Sequence, residues 1–82
     1  MPKYTLQSLL DIMAKLRSEQ GCPWDKQQTH DSLTRYLLEE AYEVIDAIEE
    51  KDFPAVAEEL GDLLLQIVFH AQIGAESGKF TM

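Results

Sequence analysis

The run Glu58-Glu59-Leu60-Gly61-Asp62-Leu63-Leu64-Leu65-Gln66-Ile67-Val68-Phe69-His70 decides the fold. Its apolar residues fall at nearly every helical angle, so it reads as a helix with little surface to spare for solvent. Pro54 suits the first turn of that helix and Gly78 follows its end, which predicts a helix over 54–76. Helical spacing places Glu59, Asp62, Gln66 and His70 along one narrow polar line. Buried charge is costly unless it is paired or bound to metal, so this line needs a purpose. A helix apolar all round is covered all round. The expectation is an all-α fold: antiparallel helices forming a four-helix-type bundle completed by homo-oligomerisation, as a homodimer or a dimer of dimers.

Upstream, Lys51-Asp52-Phe53-Pro54 ends a second predicted helix, which runs from about His30 to Glu50. Its apolar positions include Leu33, Tyr36, Leu37, Ala41, Val44, Ile45 and Ile48. It carries the run Glu39-Glu40-Ala41-Tyr42-Glu43, in which Glu40 and Glu43 share a face, as Glu59 and Asp62 do on the next helix. The short connection makes the two helices antiparallel neighbours, so the two carboxylate pairs can face each other. Carboxylates converge in this way only around positive charge. An all-oxygen donor set suits Mg²⁺ or Mn²⁺ and disfavours zinc. A di-iron bundle is the competing metal reading, but it uses Glu-x-x-His pairs, and neither His30 nor His70 has a Glu three residues before it. For Glu49, Glu50 and Glu58 a solvated helix face is the expectation.

The segment Gly21-Cys22-Pro23-Trp24-Asp25-Lys26 breaks the pattern and is unusual for a connector, because it holds the largest side chain. Two readings stay open for Trp24: a plug in the core, or a flat apolar face against a base or sugar. Lys26 and Arg35 are candidates for phosphate contact, or for surface salt bridges. Asp25 with Gln28 resembles a capping box, and Thr29 is the competing N-cap. Before the break, Leu6, Leu9, Leu10, Met13 and Leu16 trace an amphipathic helix from residue 5 to about 18, with Thr5 as N-cap and no chemistry of its own.

Composition narrows the function. Eighty-two residues is one small domain, with a core that a metal or partner subunit would help. The net charge of −8 argues against a nucleic-acid polymer as partner, since phosphate contacts need a basic surface. It permits a single nucleotide bridged by a cation. Met1-Pro2-Lys3-Tyr4 opens no apolar signal core, no apolar run could span a membrane, and Cys22 is alone. A cytoplasmic protein is the expectation.

Glu40-Ala41-Tyr42-Glu43, a spacer, then Glu59-Leu60-Gly61-Asp62 resembles the signature of the all-α NTP pyrophosphatase superfamily. The preceding Glu39, the segment Gly21 to Asp25 and Gln28-Thr29 make the chain similar to its MazG-type nucleoside triphosphate pyrophosphohydrolases, from about Leu9 to Phe80. The resemblance implies a single MazG-like helical domain over 1–82, without the further helix that usually follows in the family and carries basic residues near its end. It implies Mg²⁺-dependent hydrolysis of a nucleoside triphosphate between the α and β phosphates, giving a monophosphate and pyrophosphate, in nucleotide-pool house-cleaning. Glu40, Glu43, Glu59 and Asp62 are the implied ligands. Glu39 is the candidate supporting group or general base, a role a ligand such as Glu40 could also take, and Gln66 a group that orients water or a ligand. A small dUTP- or dCTP-specific pyrophosphatase of the same superfamily would share this chemistry. The non-enzymatic alternative is a helical oligomerisation module with a structural Mg²⁺ site.

Overall fold

Thr5 and Thr29 each open a helix by the same device. The threonine hydroxyl accepts from the backbone N–H of Ser8 or Ser32, and that serine's hydroxyl accepts in return from the threonine N–H. Both boxes satisfy donors that the first turn leaves free. In this computed structural model, which describes residues 5–82, the helices are α1 (Leu6–Leu16), α2 (Pro23–Gln27), α3 (His30–Glu49) and α4 (Phe53–Glu76), and no strand occurs among the described residues. Met1–Tyr4, with its leader reading, lies outside the described residues.

The break predicted between the first two long helices contains the short α2, which starts on Pro23. Asp25 lies within its first turn, so Thr29 is the cap of α3 and the Asp25–Gln28 alternative is corrected. Gln28 instead links the two elements: its Nε2 donates to the Trp24 carbonyl at 3.0 Å and its Oε1 accepts from the Ser32 hydroxyl at 2.8 Å. Gly21 is required for a close approach. A Cβ there would collide with the carbonyl oxygens of Lys15 and Leu16, beside the 2.8 Å bond from the Cys22 N–H to the Leu16 carbonyl.

Asp52 caps α4 by accepting from the Ala55 N–H at 3.2 Å, with Pro54 in the first turn. The ends of α3 and α4 are closed by the same paired hydrogen bonds. Asp52 N–H reaches the Ala47 carbonyl and Lys51 N–H the Ile48 carbonyl; Lys79 N–H reaches Gly74 and Gly78 N–H reaches Ala75. The residue at the bend must take a left-handed conformation. At the end of α4 it is Gly78, φ 71°, and at the end of α3 it is Lys51, φ 58°.

Early α3 meets late α4 (His30 with His70), while Glu40 meets Glu59 nearer the turn, which is an antiparallel register. The core joins Met13 of α1, Leu33 of α3, and Val68 and Phe69 of α4, with Leu9, Leu10 and Ile73 packed on it. Several residues expected on buried faces are exposed: Leu6 on α1, Tyr36, Ile45 and Ile48 on α3, and Leu60, Leu64, Leu65 and Ile67 on α4. A single chain of this size has too few helices to surround α4. No helix among the described residues is long and apolar enough to cross a membrane.

Lys51→Gly relieves the left-handed penalty and should raise stability by about 1 kcal/mol in urea unfolding. Gly21→Ala should lower the midpoint. A glycine variant no more stable than the parent would refute the assigned bend.

Candidate metal centre

Glu40 and Glu43 stand one turn apart on α3, and Glu59 comes to them from α4. One carboxylate oxygen from each lies within 4.8 Å of the other two. The antiparallel pairing of α3 and α4 produces this closeness, because the Leu33–Val68 packing below it sets the register. Glu40 and Glu59 are half-buried and Glu43 is exposed, so the cluster sits at the rim of the helix seam. Asp62, the fourth predicted ligand, is exposed and lies outside the 4.8 Å group, yet close enough that its charge acts on both Glu40 and Glu59.

Oε2 of Glu40 and Oε2 of Glu59 are buried without a hydrogen-bond partner. Gln66 Oε1 and His70 Nε2, further along the polar line of α4, are also buried without partners. Buried polar atoms are normally satisfied, so this line of orphans in one seam calls for a counter-charge or donors from outside the chain. A hard divalent cation fits: the donors are oxygens, they face one another, and among the described residues no cationic side chain forms an ion pair with the triad.

The electrostatics carry the same strain. A hydrogen bond shared with Glu43 raises the Glu59 carboxyl to about 7, helped by desolvation and by the charges of Glu43, Asp62 and Glu40. Desolvation, then the charges of Glu43 and Asp62, raise Glu40 above the usual carboxylate range. Like charges this close cannot all ionise cheaply without a cation.

The other predicted residues lie outside the triad. Glu39 is exposed and forms a 3.7 Å ion pair with Arg35, one turn earlier on the same helix, so Arg35 takes the surface salt bridge foreseen as its alternative. Trp24 is 49% exposed, which excludes the core-plug reading. Its ring packs edge-on against Tyr36, 6.0 Å between centroids, and against Phe69 at 6.3 Å. Lys26 is exposed on α2, with no ion-pair partner among the described residues.

Two features escaped the sequence. His30 and His70 meet through their Nδ1 atoms at 2.7 Å with rings nearly parallel. Burial, then the His30 charge, holds His70 below its usual range. The antiparallel register that pairs Glu40 with Glu59 also carries His30 toward His70, and that signal could have revealed the contact. The second feature is Arg17, buried against α2 and α4. No local pattern marks it.

A family model described as the MazG nucleotide pyrophosphohydrolase domain matches residues 28–82. The chain is 59% identical over 76 residues to the Thermotoga maritima nucleoside triphosphate pyrophosphohydrolase/pyrophosphatase MazG, a match covering 93% of this chain and 30% of that protein. It is 54% identical over 76 residues to the nucleoside triphosphate pyrophosphohydrolase of Escherichia coli K12, covering 92% of this chain and 29% of the relative. With the Mycobacterium tuberculosis protein of that name the identity is 52% over 68 residues, 83% of this chain and 20% of the relative. The chain thus spans less than a third of the length of each of these relatives.

The raised Glu59 carboxyl has a stability signature. Between its ordinary pKa of 4.5 and about 7, the folded chain holds a proton that the unfolded chain has lost. Stability contributed by Glu59 therefore falls as pH rises through that window. His70, whose pKa is lowered, acts in the opposite sense and cancels in a comparison with Glu59→Gln. In chelator, the melting temperature of the parent should drop relative to Glu59→Gln from pH 4.5 to 7, and Mg²⁺ should close the gap. Parallel pH profiles would contradict the carboxylate contact.

Proposed function

The chain belongs to the MazG nucleotide pyrophosphohydrolase domain family, and from that premise we propose that it hydrolyses nucleoside triphosphates between the α and β phosphates, releasing a nucleoside monophosphate and pyrophosphate. The observation that carries the reading is the triad of Glu40, Glu43 and Glu59 with two buried, unpartnered oxygens. An acidic cluster repels a triphosphate, so substrate binding at this site needs a cation between them. Glu40, Glu43 and Glu59, joined by Asp62, would hold Mg²⁺, or Mn²⁺ in its place. When bound, the metal neutralises phosphate charge and lowers the pKa of a water.

The chain's own groups account for the remaining roles. Glu40, a member of the triad, is the ligand that would also take a proton from the attacking water. Glu39 supports from one residue away: its charge acts on Glu40 while its carboxylate is tied to Arg35. Gln66 Oε1, buried and unpartnered on the same line of α4, would accept from a water. Lys26 is free to meet phosphate, and the half-exposed Trp24 leaves one face for a base or sugar. Arg35 reaches phosphate only by leaving Glu39, an exposed pair of little worth.

The proposed assembly is a homodimer or dimer of dimers of this single helical domain, completing a four-helix-type bundle. Its support is the exposed apolar surface of α1 and α4, where Leu6, Leu9, Ile12 and Leu64 line an open cavity of about 410 Å³. The net charge of −8 leaves nucleic-acid polymers out as partners. House-cleaning of the cytoplasmic nucleotide pool is the biological role that fits this reaction.

Glu40→Ala or Asp62→Ala should abolish Mg²⁺-dependent pyrophosphate release while circular dichroism stays unchanged; full turnover in either variant would refute the ligand assignment. Stabilisation by Mg²⁺ together with a non-hydrolysable nucleotide supports the enzyme, whereas stabilisation by Mg²⁺ alone supports an oligomerisation module with a structural metal. Leu64→Glu should shift the molar mass measured by light scattering to that of a monomer, and an unchanged mass would refute this apolar interface.

A further inference from the structure

Arg17, the residue after α1, contacts two other elements at once. Its Nε and Nη2 donate to both carboxylate oxygens of Glu76 on α4, at 2.9 and 3.0 Å. Its Nη1 donates to the backbone carbonyls of Asp25 and Gln28, at 2.6 and 2.9 Å. Those carbonyls lie at the C-terminal end of α2, where a helix leaves acceptors unsatisfied. The guanidinium also lies 5.7 Å from the centre of the Phe69 ring, whose edge contact is Trp24. The side chain is 7% exposed and four of its five N–H donors are engaged.

Apart from the Trp24 ring contacts and the Gln28 link to α3, α2 has few holds of its own. It is only five residues long, none of them buried, and its cap residue Cys22 supplies no side-chain hydrogen bond. Yet α2 carries Trp24 and Lys26, the two exposed groups that face a substrate in the proposed function. Glu76 is prepared for its part: the hydrogen bond from Arg17, followed by that from Gln72, keeps its carboxyl below the usual range despite burial.

We propose that Arg17 is the positioning residue for substrate: by clamping α2 to the end of α4 it fixes Trp24 and Lys26 relative to the carboxylate triad. This rests on the nucleotide reading above for the identity of the substrate, though not for the clamp itself. The two pairs of bonds do different work. The pair with Glu76 anchors the fork, and the bonds to Asp25 and Gln28 set the place of α2.

Trp24 is the sole tryptophan of the sequence, so fluorescence reports α2 alone. Arg17→Met should increase acrylamide quenching of Trp24. It should also raise KM for a hydrolysed nucleoside triphosphate about tenfold while kcat changes little, because substrate placement is lost and the triad is intact. Glu76→Gln keeps an acceptor for the fork and should lower the melting temperature with KM within about twofold of the parent. If Arg17→Met loses its helical circular dichroism, Arg17→Lys replaces it; a lysine cannot reach both carbonyls and Glu76 together, so the same KM rise is expected at smaller size. A fold-competent Arg17 variant with unchanged quenching, or with changed quenching and unchanged KM, would overturn the proposal. So would a fall in both kcat and melting temperature with KM constant. A parent chain without Mg²⁺-dependent turnover would instead overturn the functional reading, and the quenching comparison would still decide whether Arg17 holds α2.

Discussion

Three carboxylates held within 4.8 Å of one another are the constraint on which the molecule depends. Left alone they repel, and two of their oxygens have no donor. The pairing of α3 with α4 must therefore be strong enough to keep them together. The apolar packing of Leu33 with Val68 and Phe69 supplies that strength, with Met13 of α1 closing the cluster. Fold and site are thus opposed in the bare chain. This is a common arrangement where stability is given up locally for function.

The two ends of the α3–α4 seam differ in chemistry. Near the turn it is acidic. At the far end the imidazoles of His30 and His70 face each other, and His70 also lines a mostly apolar cavity with Leu37, Ile67 and Phe80. Gln66 lies between these ends along α4. The carboxylate end, where the buried oxygens lack donors, is where a cation is needed first.

The long helices and their carboxylates were legible because both depend on local rules. Threonine caps, three-and-four spacing and Pro54 specify α1, α3 and α4 to within a residue or two. Once the turn makes α3 and α4 antiparallel, Glu40 and Glu59 must meet. What was not legible depends on contacts between distant segments. α2 is too short for periodicity to reveal, and Arg17 looks like any surface arginine until Glu76, 59 positions later, folds back to it. Exposure was misjudged for Leu6, Ile45 and Ile48 because apolar spacing predicts an inward face, whereas burial requires something to lie against it. Trp24 stayed ambiguous for the same reason. Its size suggested a core residue, and only the edge contacts with Tyr36 and Phe69 fix it at the surface.

The turn between α3 and α4 has a consequence for how the chain reaches this structure. Only Glu50, Lys51 and Asp52 separate the two longest helices, so the contacts nearest the turn join residues close in sequence, and those farther along the seam can follow in order. Pairings of this kind form quickly, because little loop entropy is lost in making them. Closing this hairpin costs the chain less loop entropy than bringing α1 to α4 does. Glu40, Glu43 and Glu59 all belong to this hairpin, so their mutual repulsion opposes its closure and the apolar packing along the seam has to overcome it.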